Sequence, residues 1–264
     1  MKIPFELIAV FDAPELGFRG NISTVVMLEK PISDQRMQEI AADFNQPATT
    51  FLWLNTSAAD TYHVRWFAPD AEIDLCGHGS LAAMAFLHKH HSENIRLLYQ
   101  GGRIEGKSEG SAHFTMDLDP IPVVKEVEIS QILQQGLGVH IQAHYQTSNK
   151  NIVLLENEAD LRRMRPDFAK LRESDIFGYA VTAPGDEADF VSRTLVPHVQ
   201  QLEDHATGSS HAALAPFWSS RLGKEELSAW QLSRRGGKFS CRYRAGKVTL
   251  SGHASFLAGG KLRM

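Results

Sequence analysis

Asp74-Leu75-Cys76-Gly77-His78-Gly79-Ser80-Leu81-Ala82-Ala83-Met84-Ala85-Phe86-Leu87 is the stretch whose reading decides the fold. Acid, thiol, imidazole and hydroxyl groups crowd around two glycines, and a run of small and apolar residues follows. That order predicts a helix whose first turn faces a ligand and whose body is buried. Glycine lets the backbone approach a ligand closely and reach positive φ. The N–H groups of a first turn lack partners within the helix and favour an anion. A helix built on Ala82-Ala83-Met84-Ala85 is too apolar for a surface, so a curved sheet is expected to wrap it.

Glu203-Asp204-His205-Ala206-Thr207-Gly208-Ser209-Ser210-His211-Ala212-Ala213-Leu214 repeats the arrangement. Setting Gly77 on Gly208 places Glu72 on Glu203, Cys76 on Thr207, Ala82 on Ala213 and Phe86 on Phe217. An Arg-x-x-x-Pro precedes each copy, Arg65 to Pro69 and Arg193 to Pro197. Strand–turn–helix junctions often look alike. The shared order of strand, arginine, acid, glycine and small-residue helix nevertheless favours two lobes of similar topology. The two helix starts are expected to face each other across one cleft.

Working outward, strands are expected over 3–11, 23–28, 49–54, 62–67, 95–99 and 110–118, with Gly101-Gly102 as a turn. A helix capped by Ser33 carries Met37, Ile40, Ala41 and Phe44 on one face, and Pro47 follows its end. The first signature helix runs from about His78 to His90. His88, His90 and His91 sit at its end, where histidine suits the helix dipole. Asp119-Pro120-Ile121-Pro122 is a hinge, because two prolines fix φ and remove donors. It divides an N-terminal lobe, 1–118, from a C-terminal lobe, 122–253.

The second half is expected to hold a short helix over 130–137, strands within 144–155, helical turns over 160–171, and strands over 177–182 and 189–196. A second signature helix over 209–222 contains Pro216, which implies a kink or a later start. Strands over 228–233, 238–243 and 247–250 close the lobe. A last strand near 254–262 can return to the first lobe. The fold class is α+β: two similar lobes, each a strand-rich curved sheet or barrel around a central helix.

The 264 residues suffice for one large domain or two modest lobes. A net charge of -4 gives no reason to expect nucleic acid or an anionic membrane as partner. Two cysteines, Cys76 and Cys241, without a CxxC or Cys/His ligand spacing make structural zinc or a disulfide framework unexpected. No metal is implied. The first residues include Glu6 and lack a signal-peptide core, so they read as a strand. No run reaches the length of a membrane span, and a cytoplasmic location is expected.

Several motifs resemble the PhzF-like family, named for phenazine biosynthesis, within the diaminopimelate epimerase fold. They are Phe11-Asp12-Ala13 with Gly20-Asn21, Gln38-Glu39-Ile40-Ala41 with Asn45, Thr49-Thr50-Phe51 and Arg65-Trp66-Phe67-Ala68-Pro69. They continue as Glu72-Ile73-Asp74-Leu75-Cys76-Gly77-His78, Glu203-Asp204, Thr207-Gly208-Ser209, Leu222-Gly223-Lys224, Gln231-Leu232-Ser233-Arg234-Arg235-Gly236-Gly237 and Gly259-Gly260. The resemblance implies a cofactor-free active site between the lobes, commonly in a homodimer. It also implies isomerisation of a small carboxylated substrate by moving a proton next to the carboxylate. His78 resembles the family's active-site histidine, Asp204 its cleft acid and Ser209 its substrate-holding hydroxyl. Asn21, Gly77, Gly79, Thr207 and Gly208 complete the expected substrate site. Aimed N–H donors would stabilise the charge that builds on carboxylate oxygens when the neighbouring carbon loses its proton.

Position 48 departs from the pattern. The family reads Asn-x-Ser-Glu-Thr and uses that glutamate as general acid/base, whereas this chain reads Asn45-Gln46-Pro47-Ala48-Thr49. Alanine has no proton to give or take. Three readings stay open: the protein only binds a ligand, another group among Asp204, His78 and Cys76 acts, or the substrate carries its own base. Cys76 stands where racemases of the wider fold keep one of two thiols, and a helix start lowers a thiol's pKa. The facing position is Thr207, so a two-thiol racemase is not expected. Cys76 reads equally well as a small buried residue in a tight turn.

Overall fold

The computed structural model describes residues 2–90, 94–110 and 112–263. Two expectations fall partly outside these residues: His91 and the side chain of His90 in the helix-end cluster, and Ser111 in the strand over 110–118. The chain divides into two compact units, one of Met1–Leu118 with Thr249–Met264, the other of Asp119–Val248.

The first unit begins with β1 (Lys2–Asp12), β2 (Asn21–Met27), helix α1 (Asp34–Phe44), β3 (Ala48–Leu54), β4 (Thr61–Phe67) and the short β5 (Glu72–Ile73). Helix α2 (Gly77–His90), β6 (Asn94–Tyr99), β7 (Gly102–Gly110) and β8 (His113–Leu118) follow. β1 and β2 pair antiparallel, β2 and β3 parallel across α1, and β3 and β4 antiparallel. β4 and β6 pair parallel across α2, and β6, β7 and β8 form an antiparallel meander. Residues 81–87 of α2 are all buried, and α2 packs against β1, β2, β3, β6, β7 and β8. Each large apolar side chain there contributes on the order of 1.5–3 kcal/mol by leaving water. α1 lies on the other side of the sheet. The Ser33 hydroxyl caps it by accepting the Arg36 N–H at 3.3 Å, and Met37, Ile40 and Ala41 pack with Ile3, Val26, Phe51 and Phe67. Asn45, at φ 49°, ends it.

The second unit runs β9 (Val123–Val127), α3 (Gln131–Leu137), β10 (Ala143–Thr147), β11 (Asn151–Leu154), α4 (Glu158–Arg163), α5 (Phe168–Leu171) and β12 (Tyr179–Pro184). It continues through β13 (Phe190–Val196), β14 (Leu202–Asp204), α6 (Gly208–Leu222), β15 (Glu226–Gln231) and β16 (Gly237–Arg244). The pairing order repeats that of the first unit. β10 and β11 are antiparallel, β11 and β12 parallel across α4 and α5, and β12 and β13 antiparallel. β13 and β15 are parallel across α6, and β15 and β16 antiparallel. α3, α4 and α5 cover a core containing Leu133, Leu137, Leu161, Leu171, Val181 and Leu195. α6 is buried over 208–215. It is tied to the strands around it by Trp218 Nε1 donating to Thr182 Oγ1 at 3.0 Å and by Ser210 Oγ meeting Thr194 Oγ1 at 3.0 Å.

Pro216 does not delay the start of α6, which begins at Gly208. Proline cannot donate to the carbonyl four residues back. That carbonyl, on Ala212, instead accepts the Ile121 N–H at 3.0 Å, so the proline is accommodated inside the helix.

The chain closes with β17 (Lys247–Arg263), one strand where the sequence suggests two. Ala245 and Gly246, both at positive φ, turn the chain into it. Its C-terminal part pairs antiparallel with β1, His253 opposite Asp12 through Arg263 opposite Lys2, and it also pairs with β8. The first unit is thereby a closed barrel around α2. β7 fills the stretch between the expected Gly101-Gly102 turn and the expected strand over 110–118, and Gly110 ends β7 rather than opening β8. Composition hides this strand in the sequence. Gly102-Arg103-Ile104-Glu105-Gly106-Lys107-Ser108-Glu109-Gly110 has one buried apolar side chain, Ile104. Gly106 is required there, because a Cβ would collide with Met84 of α2 and the Thr115 carbonyl.

Candidate active site: two helix starts

At the start of α2, Cys76 occupies the capping position. Its Sγ accepts the Gly79 N–H at 3.3 Å, and its carbonyl accepts both the N–H (2.9 Å) and the hydroxyl (2.7 Å) of Ser80. The sulfur also lies 3.4 Å from His78 Nδ1 and 3.7 Å from Nε2. Thiol and imidazole are therefore in contact, and both residues are buried. Gly79 differs from its sequence-derived role. Its N–H serves the Cys76 cap, and a Cβ would strike Trp66, Thr50 and the sulfur, so packing alone demands glycine. Gly77 is the first residue of the helix.

Ala48 is fully buried at the beginning of β3, opposite Ser23 of β2. Its carbonyl accepts the Ser23 hydroxyl at 3.2 Å. Thr50, two residues on and therefore on the same face of the strand, reaches the Gly79 carbonyl of α2 at 3.4 Å. The Ala48 methyl thus projects from the strand face that meets the first turn of α2. Asn21 is buried at the start of β2, with its Oδ1 accepting the Ile22 N–H at 3.0 Å. Gly20 before it, at φ 60°, approaches the Val10 carbonyl so closely that no side chain fits.

The start of α6 is a tighter network. Asp204 ends β14, and its carboxylate accepts the His205 N–H at 3.0 Å and the Thr207 hydroxyl at 2.8 Å. Gln231, fully buried at the end of β15, locks this arrangement. Its Nε2 donates to the Asp204 carbonyl at 2.6 Å and to Thr207 Oγ1 at 3.1 Å, while its Oε1 accepts the Thr207 N–H at 2.8 Å. His211, one turn into α6, lies with Nδ1 2.8 Å from the Thr207 carbonyl and stacks on Phe239 at 3.7 Å between ring centroids. Nδ1 therefore carries the proton, and the buried Nε2 has no hydrogen-bond partner. Burial pushes this imidazole down to about 4. Ser209, in the first turn after Gly208, accepts a hydrogen bond from Lys150 Nζ at 3.0 Å.

Each start is preceded by the same clasp. Arg65 of β4 grips Glu72 of β5 through two bonds, 2.6 and 2.7 Å, and Arg193 of β13 grips Glu203 of β14 through two, 2.7 and 2.8 Å. In both, the arginine stands two residues before the partner of the glutamate in the strand pair, Phe67 opposite Glu72 and Leu195 opposite Glu203. In both, four residues separate the glutamate from the first helical glycine.

Within the first unit the structure brings Cys76, Gly77, His78 and Gly79 together, with Ala48 on the strand face beneath them. Within the second it brings Asp204, Thr207, Gly208 and Ser209 together. Sequence reasoning missed Lys150 and Gln231 as parts of the second cluster; it places His211 there as a substrate-facing group, whereas the structure buries it completely. Gln231 stood in a quoted motif without a role. Lys150, in Ser148-Asn149-Lys150-Asn151, looks like any polar turn. Among the described residues no group of three His, Cys, Asp or Glu side chains is arranged to hold a metal ion, and no helix is long and apolar enough to cross a membrane.

Comparison with known proteins gives a consistent picture. The family model described as phenazine biosynthesis-like protein matches residues 10–260. An uncharacterized isomerase of Pseudomonas aeruginosa is 34% identical over 267 residues and is covered, like this chain, over 100% of its length. The crystal structure of a PhzF-family phenazine biosynthesis protein from Enterococcus faecalis superposes with a TM-score of 0.91 at 33% identity, covering 100% of both chains. A hydroxyproline epimerase from Agrobacterium vitis shares the fold at a TM-score of 0.66 and 11% identity, over 99% of this chain and 92% of its own. The resemblance of motifs, the repeated barrel-and-helix units and the end-to-end matches agree: the chain belongs to the phenazine biosynthesis-like, PhzF-type family, whose relatives include proteins described as isomerases.

Proposed function

We propose that the protein is a cofactor-independent isomerase that moves a proton next to the carboxylate of a small substrate, with Asp204 and His78 as the proton-moving groups. The observation that carries this reading is the Asp204 carboxylate. It is held by the Thr207 hydroxyl and the His205 N–H, in a frame fixed by the buried Gln231. A carboxylate so positioned can take a proton without first reorganising its surroundings. The Cys76–His78 contact supplies a second titratable pair, with the sulfur engaged as a helix cap. Gly77, Gly208 and Ser209 are the groups assigned to the substrate carboxylate. Soluble cytoplasmic residence and a homodimer complete the proposal.

A second reading is favoured by one observation, Ala48. The position to which the resemblance assigns a glutamate offers only a methyl group, and on this reading the chain is a ligand-binding family member without turnover. One experiment separates the two. A panel of small carboxylic acids is incubated with the protein in heavy water, and deuterium at the carbon beside the carboxylate is followed by mass spectrometry. The isomerase reading expects incorporation, and Asp204→Asn is expected to slow it by about 10²–10⁴-fold, the usual worth of a positioned acid/base. Exchange absent from the native chain but created by Ala48→Glu would establish the binding reading, because the strand face carrying position 48 meets α2. Native exchange indifferent to Asp204→Asn and to His78→Asn would remove both from the chemistry.

A further inference from the structure

Lys150 lies between β10 and β11, and only 7% of it is exposed. Its ammonium donates to Asn149 Oδ1 at 2.7 Å and to Ser209 Oγ at 3.0 Å, with the Phe177 ring 5.5 Å away. An ammonium has donors and no acceptor, whereas a hydroxyl has both. In the Lys150–Ser209 contact the serine oxygen must therefore accept, and the serine proton must be directed elsewhere. The neighbouring hydroxyl has a different fate, since Ser210 Oγ is engaged with Thr194 at 3.0 Å. Ser209 is 6% exposed, so the charge acts through a medium that screens it far less than water does. A hydroxyl whose oxygen is bound to a buried cation is also a stronger donor through its own proton.

We propose that Lys150 and Ser209 form the carboxylate subsite of the second unit, Lys150 supplying the positive charge and orienting the Ser209 hydroxyl as a donor. A carboxylate suits this pair because it is acceptor-only and carries the complementary charge. Lys150 is a positioning residue through Ser209 and a counter-charge for the bound anion. The inference rests on the carboxylate-substrate reading above, yet its test needs no turnover.

The test is a titration of the full chain with malonate against a chloride control at matched ionic strength, followed by the ¹H–¹⁵N signals of Ser209 and Ser210. Lys150→Met, close in length and without the buried charge, is expected to weaken malonate binding about tenfold or more, the usual worth of a charge-assisted hydrogen bond. Ser209→Ala is expected to weaken it by a smaller factor. The double variant is expected to bind within about twofold of Lys150→Met, because the two groups act as one unit. Binding by a folded Lys150→Met within about twofold of the native protein overturns the proposal, as do two losses that simply multiply. If Lys150→Met does not fold, the Lys150 Nζ resonance of the native protein decides: it shifts with malonate and not with chloride, or the subsite is refuted. Lys150-dependent malonate binding without deuterium exchange leaves the subsite standing while the isomerase reading falls.

Discussion

His211 is enclosed on all sides, stacked on Phe239 and hydrogen-bonded to the Thr207 carbonyl. Burial lowers its pKa to about 4, against an ordinary value of about 6.5. The unfolded chain therefore takes up a proton that the folded chain refuses. The resulting stability is fully present above about pH 6.5 and is lost as pH falls towards 4, reaching about 3 kcal/mol in all. Urea midpoints measured between pH 7 and 4.5 are expected to fall steeply for the native protein and less steeply for His211→Phe, which keeps an aromatic ring for the stack. His144, also lowered by burial, leaves some slope in the variant. None of this was legible in the sequence, where histidine beside a helix start reads as a ligand-facing group. Burial is a property of what surrounds a residue, and Phe190 and Phe239 arrive from strands distant in the chain.

The repeated element is a strand, a short return strand and a buried helix, with an Arg–Glu clasp between the first two. The order of the motif residues was visible in the sequence; the clasp was not, because the arginine-to-glutamate spacing differs, 65 to 72 in one copy and 193 to 203 in the other. Pairing of the strands erases that difference, since each arginine ends diagonally across from its glutamate. The two clasps differ in exposure. Arg193 and Glu203 are 13% and 18% exposed in their side chains, Arg65 and Glu72 26% and 42%. A pair in contact with water is worth about 0–1 kcal/mol, while leaving one charge of a desolvated pair alone costs more. Glu203→Gln is thus expected to lower stability by about 1–3 kcal/mol and Glu72→Gln by less than about 1 kcal/mol, read from denaturant midpoints. Equal effects would show that the clasps are not distinguished by burial. Because Glu203 adjoins Asp204, its replacement is also the more damaging to the α6 start.

At the scale of the whole molecule, the first unit is completed by the end of the chain. β17 pairs with both β1 and β8, so a chain ending at Val248 leaves two strand edges unpaired and the barrel around α2 open. Such a chain is expected to lose the cooperative unfolding of the first unit and to aggregate, measured by calorimetry and light scattering; an unchanged transition would contradict closure by β17. The sequence by itself determined the α+β class, the two buried small-residue helices, the repeat of their starts, the resemblance to the family and the alanine at position 48. These depend on local composition and spacing, which the chain carries wherever it folds. Tertiary structure decided which groups at those starts are engaged. Cys76 caps α2 through the Gly79 N–H, Gln231 locks Asp204 to Thr207, Ile121 satisfies the carbonyl that Pro216 leaves open, and Lys150 turns the Ser209 hydroxyl. In the last three the partners lie tens of residues apart in sequence, and a hydrogen bond exists only where pairing and packing bring donor and acceptor within about 3 Å.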